Sequence, residues 1–267
     1  MFVTKLAVFV TNISERGYLM QGNNMRLISN GDAGGLRMDN VASGATASCG
    51  WAWGADFGDL DLDGWVDLVV GNGFHSANPE RDYWYQMSKL SSGTGALIED
   101  AGNWPAFEDR SLSGYQQTRV LKHRGRGFSF RDIAGAAGVD DRFDTRALAL
   151  VDVDNDGDLD ILSGNQSGPL TLQLNSGTDG NWIGLDLVGS RSNPDAVGAR
   201  VTARYGEHSQ VQVVTAGHGF CSQTDPRVHF GLGAASEVSF AITWPSGTQQ
   251  DLNGLALGRY HRVTEPN

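Results

Sequence analysis

Two copies of one acidic segment decide the fold of this chain. Residues 56–72 read DFGDLDLDGWVDLVVGN, and residues 149–165 read ALVDVDNDGDLDILSGN. The two copies align without a gap, and each places an Asp-rich loop between short apolar runs. Self-similarity of this kind is the sequence signature of a repeat architecture, in which one supersecondary unit recurs and stacks on its neighbours.

A weaker repeat precedes each acidic segment. Residues 29–42 and residues 123–134 each contain two short strand-like runs separated by a glycine-containing turn. Each unit is therefore predicted to run in the order strand, glycine turn, strand, acidic loop, strand. Residues 6–11 are similar to the end of a further, preceding unit. Because such a unit cannot bury both of its faces alone, we expect the units to pack side by side.

The spacing of the aspartates within the loops is typical of a calcium site. Aspartate occupies positions 1, 3, 5 and 9 of each loop, and glycine occupies position 6, where the chain must turn sharply. The backbone carbonyl of position 7 is expected to supply a further oxygen. The predicted ligands of two calcium ions are Asp59, Asp61, Asp63, Trp65 and Asp67 in the first loop and Asp152, Asp154, Asp156, Asp158 and Asp160 in the second.

Electrostatics favours an ion between these carboxylates. Each like-charged pair costs on the order of 4 kcal/mol at a separation of about 4 Å with an effective dielectric constant near 20. Oxygen ligands in a flexible loop suit calcium better than zinc or copper, and magnesium demands stricter octahedral geometry. A solvated acidic turn without an ion is the alternative. An EF-hand is excluded, because the position of its bidentate glutamate holds Val70 or Ser163 and the flanks are strand-like.

Composition narrows the class of partner. The chain has 267 residues and a formal net charge of −11, and a surface of that sign repels phosphate backbones, so nucleic acid is not an expected partner. No apolar run approaches the roughly 20 residues that cross a bilayer, so no membrane span is expected. Residues 1–12 predict a strand rather than a signal peptide. Cys49 and Cys221 allow either a disulfide or two independent thiols.

An insertion, about residues 74–115, separates the two repeats. Its aromatic residues form either a recognition surface or a small hydrophobic core within the insertion itself, and both interpretations stay open. After residue 175 short alternating strands continue without an acidic loop, which predicts a separate β-sandwich or small barrel over residues 176–267. The candidates for ligand binding in the insertion are His75, Tyr83, Trp84, Tyr85 and Trp104.

Two residues of the C-terminal segment carry further expectations. His229 lies within a strand-like run, and we expect it to pack or to form hydrogen bonds. Arg227 is expected to form an ion pair with Asp195 or Asp225, with bidentate binding of an anionic ligand as the alternative.

These motifs resemble known families. The acidic loops are similar to the calcium loops of FG-GAP/VCBS-type repeats, which occur in β-propellers. Four segments of the C-terminal region resemble the ASPIC/UnbV domain. They are NWIG at 181–184, VGARV at 197–201, PRVHFGLG at 226–233 and WPSG at 244–247. The combination resembles the cartilage acidic protein family. The resemblance implies an all-β chain, with a partial, open β-propeller over residues 1–175 and an ASPIC/UnbV-like β domain over residues 176–267.

The resemblance also implies an exported binding protein stabilised by calcium rather than a defined enzyme. A closed propeller has typically 4–8 blades, so two acidic-loop units and one extra strand leave open edges that invite pairing with other chains. We therefore expect an extracellular or periplasmic protein that forms homo- or hetero-oligomers. A structural subunit of an extracellular assembly is one alternative. An enzyme with a pocket near the insertion is another, although no H-E-x-x-H, C-x-x-C or G-x-S-x-G motif is present.

Overall fold

Short strands account for almost all of the regular structure, as the alternating patterns and frequent turns predict. The computed structural model describes residues 6–14, 22–30, 36–91, 100–166 and 168–267. The predicted all-β class is confirmed over these residues. The strands before residue 176 are β1 (Leu6–Val10), β2 (Asn24–Asn30), β3 (Leu36–Asn40), β4 (Ala52–Gly58), β5 (Asp67–Asn72), β6 (Asn78–Asp82), β7 (Arg110–Ser111), β8 (Arg119–His123), β9 (Phe130–Asp132), β10 (Thr145–Val151), β11 (Asp160–Asn165) and β12 (Thr171–Gln173).

The acidic segments form two matching antiparallel hairpins. Strands β4 and β5 flank the first acidic loop, and Gly58 pairs with Asp67 where the strands meet it. Strands β10 and β11 flank the second loop, and Val151 pairs with Asp160 at the same place. The repeated sequence therefore gives the same hairpin twice.

Each sequence unit is divided between two sheets. The sheets have the strand orders β1-β2-β3, β4-β5-β8-β9 and β10-β11-β12. The hairpin β8-β9 precedes the second acidic hairpin in the sequence. In the structure, however, β8 pairs with β5, so β8-β9 belongs to the sheet of the first acidic hairpin. Strand β1 pairs with β2, as expected for the end of a preceding unit. We call these the first, second and third sheets.

Close packing of the innermost strands joins the second sheet to the third. At Gly54 a Cβ atom would lie 2.7 Å from the carbonyl oxygen of Arg146, so only glycine permits this approach of β4 to β10. The buried carboxylate of Asp56 accepts a hydrogen bond from the backbone N–H of Leu150, at 3.1 Å. Buried apolar residues between these sheets include Val69, Val120, Leu148, Leu150 and Ile161.

The insertion adds a small sheet and a helix. Strands β6 and β7 pair in parallel, and helix α1 (Tyr83–Ser91) follows β6 directly. The carboxylate of Asp82 accepts a hydrogen bond from the backbone N–H of Trp84, at 2.8 Å, in the first turn. The sequence did not predict this helix, because its first three residues are aromatic and favour strands by propensity.

Of the two predicted alternatives for the C-terminal region, a β-sandwich or a small barrel, the structure forms two separate sheets, as in a sandwich. Two sheets, in the orders β16-β13-β19 and β15-β14-β17-β18, enclose one apolar core that includes Ile183, Phe230, Phe240 and Trp244. The strands are β13 (Asn181–Val188), β14 (Arg200–Tyr205), β15 (His208–Val213), β16 (Val228–Gly233), β17 (Ser239–Thr243), β18 (Gln249–Asn253) and β19 (Tyr260–Thr264).

Two further expectations concern cysteines and membranes. Cys49 is buried and Cys221 is exposed, and both are free thiols rather than a disulfide. None of the helices in the described part of the chain has the length and apolar character needed to span a bilayer.

Candidate metal centres

Left-handed backbone at two positions curls each acidic loop. Gly64 and Gly157 have φ angles of 89° and 98°, so the glycine predicted for the sharp turn is required at both sites. Leu62 and Asn155, two residues earlier, also adopt positive φ, at 55° and 62°. This second left-handed position was not predicted, because leucine gives no signal for it.

The first loop brings three of its predicted ligands together. One carboxylate oxygen from each of Asp59, Asp61 and Asp67 lies within 4.8 Å of the other two. Burial raises the pKa of Asp59 to about 8 and that of Asp67 to about 7, and the neighbouring carboxylates add to both increases. A cation among these groups would favour their ionised forms and reverse the effect.

The second loop brings together Asp152, Asp154 and Asp156, again within 4.8 Å. Asp152 is only 1% exposed, and its Oδ1 atom has no hydrogen-bond partner. Its Oδ2 atom accepts hydrogen bonds from the N–H of Gly157, at 3.0 Å, and from the hydroxyl of Tyr260, at 2.9 Å. A buried carboxylate oxygen without a partner, in an all-oxygen cluster, fits a hard divalent cation such as calcium.

Two predicted ligands brace the second loop and the linker behind it. The carboxylate of Asp160 accepts hydrogen bonds from the backbone N–H of Val153, at 3.0 Å, and of Asn175, at 2.8 Å. The carboxylate of Asp158 accepts a hydrogen bond from the hydroxyl of Thr178. Neither carboxylate belongs to the cluster of three. For Asp158 the predicted calcium ligand is the backbone carbonyl oxygen, so its side chain can bind the linker instead.

Two predicted ligands of the first loop lie at its outer side. The carboxylate of Asp63 accepts a hydrogen bond from the backbone N–H of Trp65, at 2.9 Å. The indole of Trp65 stacks on His123, with ring centroids 4.8 Å apart and planes 6° from parallel. The Trp65 side chain therefore packs against the neighbouring strand β8. The predicted calcium ligand at this position is the backbone carbonyl oxygen of Trp65.

The C-terminal sandwich covers the first loop, which the sequence did not predict. The hydroxyl of Tyr205 and the side-chain amide of Gln210 both donate to the carbonyl of Gly64, at 3.2 and 2.9 Å. A Cβ atom at Gly231 would lie 1.9 Å from Oδ2 of Asp59, so glycine is required where the sandwich packs against this aspartate. The only signal for Gly231 in the sequence is its place in the run FGLG.

Arg227 holds the sandwich against the second loop. Its guanidinium donates to the carbonyl of Asp152, at 3.1 Å, and to Oδ1 of Asn155, at 2.6 Å. The guanidinium also lies 3.7 Å from the ring centroid of Tyr260. Its Nε and Nη2 atoms donate hydrogen bonds to the carboxylate of Asp225. The expected Arg227–Asp225 ion pair is therefore confirmed, and it serves the contact between the two regions.

Two histidines of the sandwich lie at this same contact. Burial lowers the pKa of His229 to about 4, so its ring is neutral and stacks on Trp182, with centroids 5.5 Å apart. The packing role expected for His229 is therefore confirmed. Nδ1 of His218 lies 2.8 Å from Oδ1 of the buried Asp56, and this interaction raises the pKa of His218.

The five candidate ligand-binding residues of the insertion divide into two groups. Tyr83 is buried, stacks on Phe107 with centroids 4.1 Å apart, and donates its hydroxyl to the carbonyl of Pro105. His75 lies edge-on against the same phenyl ring, and the indole of Trp84 donates to Ser113. Tyr83 and His75 share the ring of Phe107 within the insertion, as the core interpretation describes, whereas Trp84 is half-buried and lies against Trp51 outside the insertion.

The other two candidates face solvent. Tyr85 is 61% exposed and Trp104 is 46% exposed. Of the five candidates only these two are exposed, and the recognition surface stays a prediction.

Comparison with known proteins identifies the C-terminal region. Residues 189–267 match the family model described as ASPIC and UnbV, so the chain carries an ASPIC/UnbV domain. Strand β13 precedes this match, yet it lies at the centre of the sheet β16-β13-β19. The sandwich that the structure forms is therefore larger than the matched segment.

The chain is also similar to Cartilage acidic protein 1 from three animals. It is 33% identical to the human protein over 238 residues, which are 79% of this chain and 35% of that relative. It is 34% identical to the mouse protein over 224 residues, covering 73% of this chain and 34% of the relative. For Xenopus tropicalis the identity is 34% over 106 residues, covering 37% and 16%. The chain thus spans about a third of the length of the human and mouse relatives.

Proposed function

We propose that this chain is a calcium-binding, extracytoplasmic binding and assembly protein, in which calcium stiffens FG-GAP/VCBS-like repeats for interaction with proteins or glycans. One observation carries the proposal. Asp152 is 1% exposed, keeps one carboxylate oxygen without a partner, and shares a cluster with Asp154 and Asp156. Leaving such a group charged and unpaired is costly, whereas calcium supplies the missing partner.

In this proposal calcium stabilises the contact between the repeats and the sandwich. Both acidic loops carry hydrogen bonds to the sandwich, from Gln210 to Gly64 in the first and from Tyr260 to Asp152 in the second. A bound ion would fix the positions of the loop atoms that receive these bonds. The ion therefore acts on structure, and the recognition surface lies elsewhere, with Tyr85 and Trp104 as candidates.

An extracellular or periplasmic location fits this chemistry. Calcium is abundant outside cells, where modules with dissociation constants of about 10⁻⁴–10⁻³ M are occupied. The similarity to Cartilage acidic protein 1 is compatible with the same location.

Binding of calcium is tested by titration calorimetry with metal analysis of the full chain. We expect two calcium ions per chain at saturation and one in the Asp152→Asn variant, which keeps the shape of the side chain but removes a ligand charge. Asp251→Asn is the matched control, since Asp251 is exposed on β18 of the sandwich. A wild-type chain that takes up no calcium would refute the proposed function.

An exposed apolar face on the third sheet supports the assembly part of the proposal. Leu172 lies in β12, and Leu170 and Leu174 flank this strand directly on either side. The three side chains are 47%, 71% and 61% exposed, and their spacing of two residues places them on one face of an extended segment. Strand β12 is the edge of its sheet in the described part of the chain, whereas β9 covers the corresponding β8 in the second sheet. We propose that a sheet of another chain packs here, as the next blade of an open propeller.

Sedimentation equilibrium tests this interface with a second copy of the chain. We expect the wild type in calcium to form dimers or larger species, and the double variant Leu170→Glu with Leu172→Glu to be monomeric. The matched control is Tyr85→Glu, which places an acid on an exposed aromatic position of the insertion. A monomeric wild type over the micromolar range would contradict self-assembly and leave calcium binding unaffected.

A further inference from the structure

A hydrogen bond marks equivalent positions beside the two loops. In the second sheet the backbone N–H of His123 donates to Oδ1 of Asp67, at 2.7 Å. In the third sheet the backbone N–H of Asn175 donates to Oδ1 of Asp160, at 2.8 Å. His123 and Asn175 therefore stand at the same place relative to their loops.

The residues just before this pair differ in charge. Lys122 precedes His123, and Leu174 precedes Asn175. The Nζ atom of Lys122 donates a hydrogen bond to Oδ2 of Asp61 and lies 3.6 Å from Oδ2 of Asp63. Because a lysine ammonium is charged at neutral pH, the first loop already holds a cation that comes from its own sheet.

The second loop has no equivalent cation on its carboxylates. Leu174 is 61% exposed and carries no charge. Within the described ranges, no lysine or arginine forms an ion pair with Asp154 or Asp156. One buried carboxylate oxygen lacks a hydrogen-bond partner in each loop, Oδ1 of Asp61 in the first and Oδ1 of Asp152 in the second, so the loops differ in Lys122 and not in this feature. Among the described residues the second loop therefore lacks a cation bound directly to the carboxylates of its cluster, although Arg227 lies beside it.

Arg227 does not fill this role in the second loop. Its guanidinium binds Asp225 through Nε and Nη2, which neutralises its charge locally. Toward the loop it donates only to the carbonyl of Asp152 and the side chain of Asn155, not to a carboxylate of the cluster.

We infer that Lys122 is a built-in counter-ion of the first loop, so that the two loops bind calcium unequally and the second loop is filled first. This inference rests on the proposed calcium binding. Calcium enters the first loop only when the ammonium leaves Asp61 and Asp63. A lysine that stays near a bound divalent ion also repels it, and both effects weaken binding.

The asymmetry gives the two loops different roles. The first loop keeps partial charge compensation when calcium is low, so the hairpin β4-β5 retains its shape. The second loop has no lysine at this place, and it is the loop that Arg227 and Tyr260 bind to the sandwich. The part of the contact that Arg227 and Tyr260 form therefore responds to the tighter of the two sites, whereas the hydrogen bonds to Gly64 respond to the weaker one.

An exchange of the two residues tests the inference by calcium titration calorimetry on the full chain. We expect two binding steps at least tenfold apart in the wild type. Lys122→Leu is expected to tighten the weaker step at least tenfold, and Leu174→Lys is expected to weaken the tighter step at least tenfold. Lys89→Leu is the matched control, because it removes a lysine that lies over the exposed ring of Tyr85, outside both loops.

The Asp152→Asn background isolates the first loop. In this background we compare Lys122, Lys122→Leu and Lys122→Arg, and only the leucine variant is expected to bind calcium at least tenfold more tightly. Circular dichroism confirms that each variant is folded. Equal affinities of the lysine and leucine variants, or absence of binding in both, would overturn the inference. Absence of calcium from the wild type would instead remove the proposed function.

Discussion

Removal of calcium is expected to lower the melting temperature of the full chain by roughly 5–10 °C for each bound ion. This holds when the free calcium concentration before removal is about a hundredfold above the dissociation constant of the site. A ligand at that concentration stabilises the native state by about 2.7 kcal/mol. One kcal/mol corresponds to roughly 2–4 °C for a protein of this size. The measurement is differential scanning calorimetry in calcium and in a calcium chelator, with magnesium as the control ion.

The effect of the chelator is also expected to depend on pH. Burial raises the folded-state pKa values of Asp59 and Asp67 to about 8 and 7, above the usual 3.8 for aspartate. Without calcium these groups stabilise the fold most below pH 4, and that contribution is lost as the pH rises through 7 to 8. The chelator should therefore destabilise the chain more at pH 8 than at pH 6. Equal melting with and without calcium at both pH values would contradict the calcium-stabilised fold.

The Gly157→Ala substitution is expected to destabilise the chain by about 2–6 kcal/mol, and the equivalent Gly64→Ala by about 1–3 kcal/mol. Both glycines have positive φ angles, so both substitutions carry similar backbone strain. The difference comes from the neighbours. A Cβ atom at Gly157 would lie 1.9 Å from the ring of Trp182, whereas at Gly64 the nearest atom is the hydroxyl of Tyr205, at 3.4 Å.

Urea unfolding in saturating calcium measures this difference. A second readout is proteolysis of the linker at 176–180, which should become faster in Gly157→Ala because Trp182 can no longer pack against the loop. Equal losses of unfolding free energy in the two alanine variants would contradict the close contact between Gly157 and the ring of Trp182.

The local features of the loops were predictable because they follow from neighbouring residues. The alternation of aspartates between two apolar runs predicted a hairpin, and β4-β5 and β10-β11 are that hairpin. Glycine at the sharp turn was predicted from the spacing alone, and the φ angles of Gly64 and Gly157 agree. The clusters within 4.8 Å contain three of the predicted side-chain ligands in each loop.

The insertion was predicted less completely. The sequence indicated aromatic residues of uncertain role but not helix α1, since tyrosine and tryptophan favour strands by intrinsic propensity. Tyr83 and His75 both pack against the ring of Phe107 across the insertion, and Tyr83 is buried there. Contacts of this kind depend on how the segment closes on itself, and no local pattern indicates them.

The sequence by itself determined the repeat, the acidic hairpins, their candidate ligands and the β domain that follows, because each of these is encoded in the spacing of neighbouring residues. Only the tertiary structure decided that the sandwich covers both loops, that Tyr260 reaches Asp152, and that Lys122 reaches Asp61. These pairs are far apart in the chain. Their contacts arise when separate sheets bury their apolar faces against each other, and that packing leaves no periodic signal in the sequence.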